Sequence, residues 1–191
     1  MYKILFTLSL FFISFYSHAN VIDSVFTKDK WIPDAINLQF AGNIGMLSTG
    51  IRYNSPNEKW QGSLMYGFVP RNHADKAIHA FTLKGNYIPL KKQLNHETKL
   101  DLIKIGLWYN YALGKEYFRK LPDYYDSGYY YFPTAVNIGL TIGSEVKYKK
   151  LGFYYELGTT DKTVINFAKS PNSIDFYELW NLGIGITYHL K

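Results

Sequence analysis

Apolar and polar residues alternate with a period of two along eight stretches of the chain, the spacing that sends successive side chains to opposite faces of a strand. In WQGSLMYGFV, residues 60–69, Trp60, Leu64, Tyr66 and Phe68 fall on one face and Gln61, Ser63 and Gly67 on the other. The stretch at 35–44 sets Ile36, Leu38 and Phe40 against Asn37, Gln39 and Asn43. At 46–54, Leu47, Thr49, Ile51 and Tyr53 oppose Ser48, Gly50 and Arg52; at 78–88, Phe81, Leu83 and Tyr87 oppose Thr82, Lys84 and Asn86. The pattern continues at 100–113, where Ile103, Ile105, Leu107, Tyr109, Tyr111 and Leu113 oppose Lys104, Gly106, Trp108 and Asn110. It closes with stretches at 133–148, 151–159 and 179–190, whose polar sides carry Glu145, Glu156 and Thr187. Each stretch has about the 9 to 11 residues that a tilted membrane strand needs, or more. The pattern predicts an all-β fold, an eight-stranded antiparallel up-and-down β-barrel over residues 35–191.

Alternation alone also suits a soluble barrel, in which the apolar face turns inward and the outer face is rich in Lys and Glu. Here the polar faces are dominated by Gly, Asn, Ser and Thr, groups small enough to fill a narrow interior. The apolar faces carry rings at their ends, as with Trp60 and Phe68, or Trp180 and Tyr188. Aromatic ends with aliphatic centres are what a lipid band bounded by two interfaces demands. The connections at 55–59 and 149–150 are short, whereas those at 114–132 and 160–178 are long; 89–99 is longer than this scheme expects.

The ends and the composition sharpen this expectation. Residues 1–19, MYKILFTLSLFFISFYSHA, hold one cation, Lys3, then an apolar run, then Ser17 and Ala19 at the small-x-small spacing of a signal-peptide cleavage site. The run is too short for the roughly 20 apolar residues of a spanning helix. Residues 20–34, NVIDSVFTKDKWIPD, form a lead-in that reads either as a short N-terminal interfacial helix or as a disordered segment. With no cysteine, an exported chain has no disulfide framework and no thiol chemistry. Without Lys3 the 21 cations fall to 20 against 15 anions, a net charge of +5. No Lys/Arg block exceeds two residues, so anionic lipid or sugar fits this charge better than nucleic acid. Aromatics make up 18% of the chain, with 18 tyrosines, the residue that keeps its ring in an apolar layer and its hydroxyl in a wet one.

The chain thus resembles the small eight-stranded outer-membrane β-barrels of Gram-negative bacteria. In the last strand, Asn181, Gly183, Ile186 and Tyr188 resemble the C-terminal signal that barrel-insertion machinery reads, although the chain continues to Lys191. The resemblance implies an outer-membrane location in the cell envelope, with membrane lipid and lipopolysaccharide as surroundings. It leaves function open among surface-interaction or structural proteins, narrow channels and lipid A acyl-modifying enzymes.

The enzyme reading needs a nucleophile and a base. The His-x-Ser element of lipid A deacylases is missing after every histidine. A palmitoyltransferase-like constellation of His73, Asp75 and Ser127 on external loops is the remaining catalytic candidate, and solvated loop residues explain the same positions. No metal-ligand set and no cofactor is implied. Arg52, Lys84, Lys104, Glu145 and Glu156 share the inward face, either as a salt-bridged plug or as the lining of a selective pore. Eight strands leave just enough room for side chains, which favours the plug. The segment YYDSGYYYFP places Tyr124, Tyr125, Tyr129, Tyr130, Tyr131 and Phe132 on one external loop. Such rings offer stacking area to a glycan or protein at low entropic cost. The preferred expectation is a non-enzymatic barrel with aromatic-rich external loops for surface interaction or envelope structure. An acyl-modifying enzyme comes second and a soluble periplasmic barrel third.

Overall fold

A computed structural model describes residues 31–74, 76–114, 117, 134–169 and 175–191. The chain forms two compact units, Met1–Pro33 and Asp34–Lys191. Only residues 31–33 of the first are described, so the expected signal peptide and nearly all of the expected lead-in lie outside the described residues.

The second unit is a closed barrel of eight strands in sequence order. They are β1 (Ala35–Ala41), β2 (Leu47–Asn54), β3 (Trp60–Val69), β4 (Ile78–Gln93), β5 (Thr98–Leu113), β6 (Val136–Tyr148), β7 (Leu151–Thr160) and β8 (Asn181–His189). Every neighbour pair is antiparallel, and β8 returns to β1 through pairs such as Leu38 with Ile186. Closure gives every strand a neighbour on each side, which removes the open-sheet hazard, although β4 beyond Tyr87 pairs with β5 alone.

The expected alternation is realised residue by residue. Along β3, Gln61, Ser63 and Met65 are buried inside the barrel while Trp60, Leu64 and Tyr66 are exposed outside it. Eighteen buried polar side chains against ten apolar ones make the described interior a polar one. Outside, Leu64, Leu83, Leu107, Leu140 and Ile184 all stand half exposed or more. Interior positions crowd so tightly that a Cβ at Gly139 would meet Thr159 O at 2.1 Å and the Trp108 ring at 2.3 Å.

Two connections differ from expectation. The connection expected at 89–99 is mostly strand: β4 runs on to Gln93 and β5 begins at Thr98, leaving 94–97 as the turn. Asn95 Oδ1 closes it by accepting the amides of Glu97 (3.0 Å) and Thr98 (2.7 Å). Pro89, which has no N–H for the ladder, sits where the register shifts between Tyr87 and Leu90, so a bulge absorbs the residue that would otherwise end the strand. The connection expected at 160–178 contains helix α1 (Asp161–Lys169) and a 3₁₀ turn, Phe176–Leu179. Thr160 Oγ1 accepts the Thr163 amide at 3.2 Å, and Asp161 in the first turn and Lys169 in the last complement the helix dipole. Trp180 follows the 3₁₀ turn instead of opening β8 and packs on Phe176.

The β1–β2 connection folds into the barrel mouth. Ala41 (φ 59°), Gly42 (φ 78°) and Gly45 (φ 144°) bend the backbone, and Ile44 is buried against Met65 and Trp108. Gly67 lets this turn approach: a Cβ there would lie 1.9 Å from Ile44 O.

Candidate functional site

The inward residues form a layered interior. Glu145 on β6 receives both oxygens' worth of contact from Arg52 Nη1, at 2.9 and 2.8 Å, and a bond from Lys104 Nζ at 2.5 Å. Arg52 Nη2 also donates to Thr187 Oγ1 at 3.1 Å. Glu156 on β7 is paired with Lys84 and accepts Gln39 Nε2 at 2.9 Å, while Tyr154 donates its hydroxyl to Gln39 Oε1 at 3.1 Å. The Tyr154 ring lies between the two groups, with Arg52 5.7 Å and Lys104 5.3 Å from its centroid. All five charges expected to share the interior are thus side by side and paired, drawn from strands β2, β4, β5, β6 and β7. Strand parity accounts for the convergence, since each occupies an inward position of its strand.

Two further charges belong to this interior. Asp101 and Lys147 are buried and pair at 3.3 Å, with Lys91 at 3.9 Å from Asp101. Lys147 was legible, being two residues beyond Glu145 on the same face. Asp101 was not: the register shifts between Asp101 and Lys104, so counting back by twos from Lys104 puts Asp101 on the wrong face. The described interior therefore holds four cations and three anions. Toward the opposite mouth Thr82 accepts a bond from Asn110 Nδ2 at 2.8 Å, and Ile44, Met65 and Trp108 form an apolar layer.

At the short-turn end the interior opens into a cleft of about 550 Å³ rimmed by Lys99, Lys147, Lys149, Lys191, His96 and His189, and by Asp34, Glu58 and Glu97. Its rim pairs are exposed ones: Lys99 with Glu58 (3.5 Å), Lys149 with Glu97 (3.3 Å) and Lys191 with Asp34 (3.1 Å). Partial burial works to raise the Glu58 carboxyl. The bond from Lys91 and the fields of Lys91, Lys147 and Lys99 outweigh it and hold the carboxyl below the usual range.

Of the catalytic candidates only His73 is among the described residues. His73 closes an exposed 3₁₀ turn, Arg71–His73, at the other end, while Asp75 and Ser127 lie outside the described residues. So do Tyr124, Tyr125, Tyr129, Tyr130, Tyr131 and Phe132. Among the described residues no three His, Cys, Asp or Glu side chains converge as a metal site.

No family model, curated protein or solved structure matches this chain. Its class rests on geometry: a closed, eight-stranded, antiparallel up-and-down β-barrel with one short helix, a polar ion-paired interior and an apolar outer wall.

Proposed function

We propose that this chain is an outer-membrane β-barrel of a Gram-negative envelope, exported by a cleaved signal peptide and non-enzymatic. The observation that carries the reading is the inverted distribution of side chains. Charges are buried within the barrel, whereas the outer wall presents a continuous belt of half-exposed Leu, Ile, Phe and Tyr. In water a belt of this extent, far above the few hundred Å² of a usual surface patch, drives association. In hydrocarbon it is the required surface, and a closed ladder pairs the backbone N–H and C=O groups that cross it.

The belt also has the right height. Trp60 and Phe68 stand eight residues apart on β3. They are separated by about 27 Å of strand, or about 20 Å at a tilt near 40°, against an apolar band of about 25 Å. Trp60 stacks on Tyr87 across the β3–β4 pair, centroids 4.6 Å apart, at one border. Tyr66, Phe68 and Phe81 cluster toward the other. The short-turn end then faces the periplasm, and the end bearing α1 faces outward, where it meets lipopolysaccharide, glycan or a protein partner. Strand β8, with Asn181, Gly183, Ile186 and Tyr188, is the segment offered to the insertion machinery.

The interior acts as a plug. Arg52 of β2 meets Glu145 of β6 across the barrel, and Lys104 joins the same carboxylate from the neighbouring strand β5, so the network ties opposite walls together as well as filling space. Of the acyl-modifying alternative's candidates, only His73 is among the described residues, where it lies exposed on a 3₁₀ turn.

The test is refolding of the mature chain with and without vesicles. The reading expects a compact, SDS-resistant species with heat-modifiable migration that forms only with lipid or detergent. A mature chain that stays monomeric and fully soluble without either sinks it.

A further inference from the structure

The outer wall carries one residue that a uniformly apolar surface does not require. His79 stands on the outward face of β4, opposite Phe68 of β3 and Leu113 of β5. Among the described outward positions of the strands, leaving aside the 90–100 hairpin extension, it is the only histidine, lysine, arginine, aspartate or glutamate. Its ring is set among aromatics, with centroids 5.2 Å from Phe68 and 6.0 Å from Tyr66, and Phe81 packs on Tyr66 at 5.6 Å. The Tyr66 hydroxyl lies 2.5 Å from His79 Nδ1.

A phenol is the better donor of this pair, so the Tyr66 hydroxyl gives its hydrogen to Nδ1 and the ring proton resides on Nε2. An imidazole N–H on an apolar wall is costly without an acceptor. Its height limits what the acceptor can be. His79 lies one position inside Val69 and Ile78, the last pair of the β3–β4 hairpin, and Pro70 and the exposed Arg71 follow at once. The N–H therefore stands at the border of the apolar belt, just below a cation.

We propose that the Tyr66–His79 pair is a receptor for a membrane-lipid headgroup, with His79 Nε2–H donating to a phosphate oxygen of a lipid packed against Phe68 and Phe81. A phosphate suits the position because it is an acceptor-only anion, it makes stronger bonds than a neutral carbonyl, and it resides at the depth where the aromatic belt ends. Tyr66 acts as a positioning residue: it fixes the tautomer and the plane of the ring that touches lipid. The inference rests on the barrel being membrane-inserted.

The experiment uses the full mature chain, labelled with ¹⁵N-histidine, in phosphatidylglycerol–phosphatidylcholine vesicles. Solid-state NMR reads the loss of ¹⁵N signal caused by nearby ³¹P. The His79 Nε2 resonance, assigned by its disappearance in His79→Phe, is expected to be dephased by phosphorus, while the resonance of interior His189 is unaffected. His79→Phe keeps an aromatic on an aromatic wall, so its heat-modifiable migration should match the parent chain. Tyr66→Phe should also insert, but with the Nε2 dephasing reduced because Nδ1 no longer has a fixed donor. A barrel that inserts normally and shows no ³¹P dephasing at His79 overturns the headgroup proposal and leaves the membrane reading standing. A chain that never inserts overturns both, and undiminished dephasing in Tyr66→Phe removes the positioning role of the phenol.

Discussion

Alternate residues of a single strand meet opposite surroundings in this barrel. Along β5, Lys104, Trp108 and Asn110 point into an interior where the charges are paired, although Trp108 Nε1 and the Gln61 amide make no hydrogen bond among the described residues, while Ile105, Leu107 and Tyr109 point outward with nothing packed over them. A water-soluble barrel assigns these roles the other way round. Inside, each charge is specified by a particular partner at a particular height, so single residues matter greatly. Outside, chemistry is specified only as apolar, with rings at the borders, so individual identities matter little and polarity matters a great deal.

The largest test of the inner face is Glu145→Ala. It leaves Arg52 and Lys104 buried without their shared anion, and a cost of about 3–5 kcal/mol is expected for breaking such a site from one side. Urea titration of folding into vesicles would read it, and an unchanged midpoint would mean that the interior network does not hold the barrel. The outer counterpart is Leu83→Lys, at the middle of the belt between Leu64 and Tyr109, where Leu83 is 62% exposed. On a lipid-facing wall the lysine costs about 2–4 kcal/mol. On the surface of a soluble barrel the same change falls within about 0.5 kcal/mol of zero. The two outcomes are far enough apart to separate the readings by the same titration.

The smallest effect is expected at the short-turn rim. The Glu58 carboxyl is held below its ordinary range, so its contribution is fully present above the unfolded value, near 4.3, and is lost as the pH falls through the lower folded value. Glu58 is nearly half exposed and its pairs with Lys91 and Lys99 are screened, so the expected loss is a few tenths of a kcal/mol. Heat-modification midpoints of the parent chain and Glu58→Gln should separate slightly at neutral pH and converge as the pH falls through the lowered folded value. A separation that grows on acidification would reverse the sign of this account.

How much of this was legible follows from what parity can carry. Period two assigns faces wherever a strand is regular, which is why Arg52, Lys84, Lys104, Glu145 and Glu156 could be placed together before any coordinates. It fails at bulges: counted back from Lys104 it puts Asp101 on the wrong face, and the strand beyond Pro89 was read as part of the 89–99 connection. Helix α1 was missed because nine residues are too short for a 3.6-residue period to stand out against a polar connection. Its start signal, Thr160 and Asp161, was present and unread. The Tyr66–His79 pair was out of reach because it joins residues on neighbouring strands through a register that only the turn at 70–77 sets. Asp75, Ser127 and the tyrosine-rich segment 124–132 lie outside the described residues.

The claim beneath all of these is that the outer wall of the barrel touches lipid chains and the interior does not. Two single-tryptophan proteins test it most directly, one keeping only Trp108, which is 1% exposed inside the barrel, the other carrying only Leu83→Trp on the wall. In vesicles of lipids brominated along the acyl chains, fluorescence at position 83 should be strongly quenched and that of Trp108 nearly untouched. Equal quenching at the two positions, or none at position 83, would contradict the account.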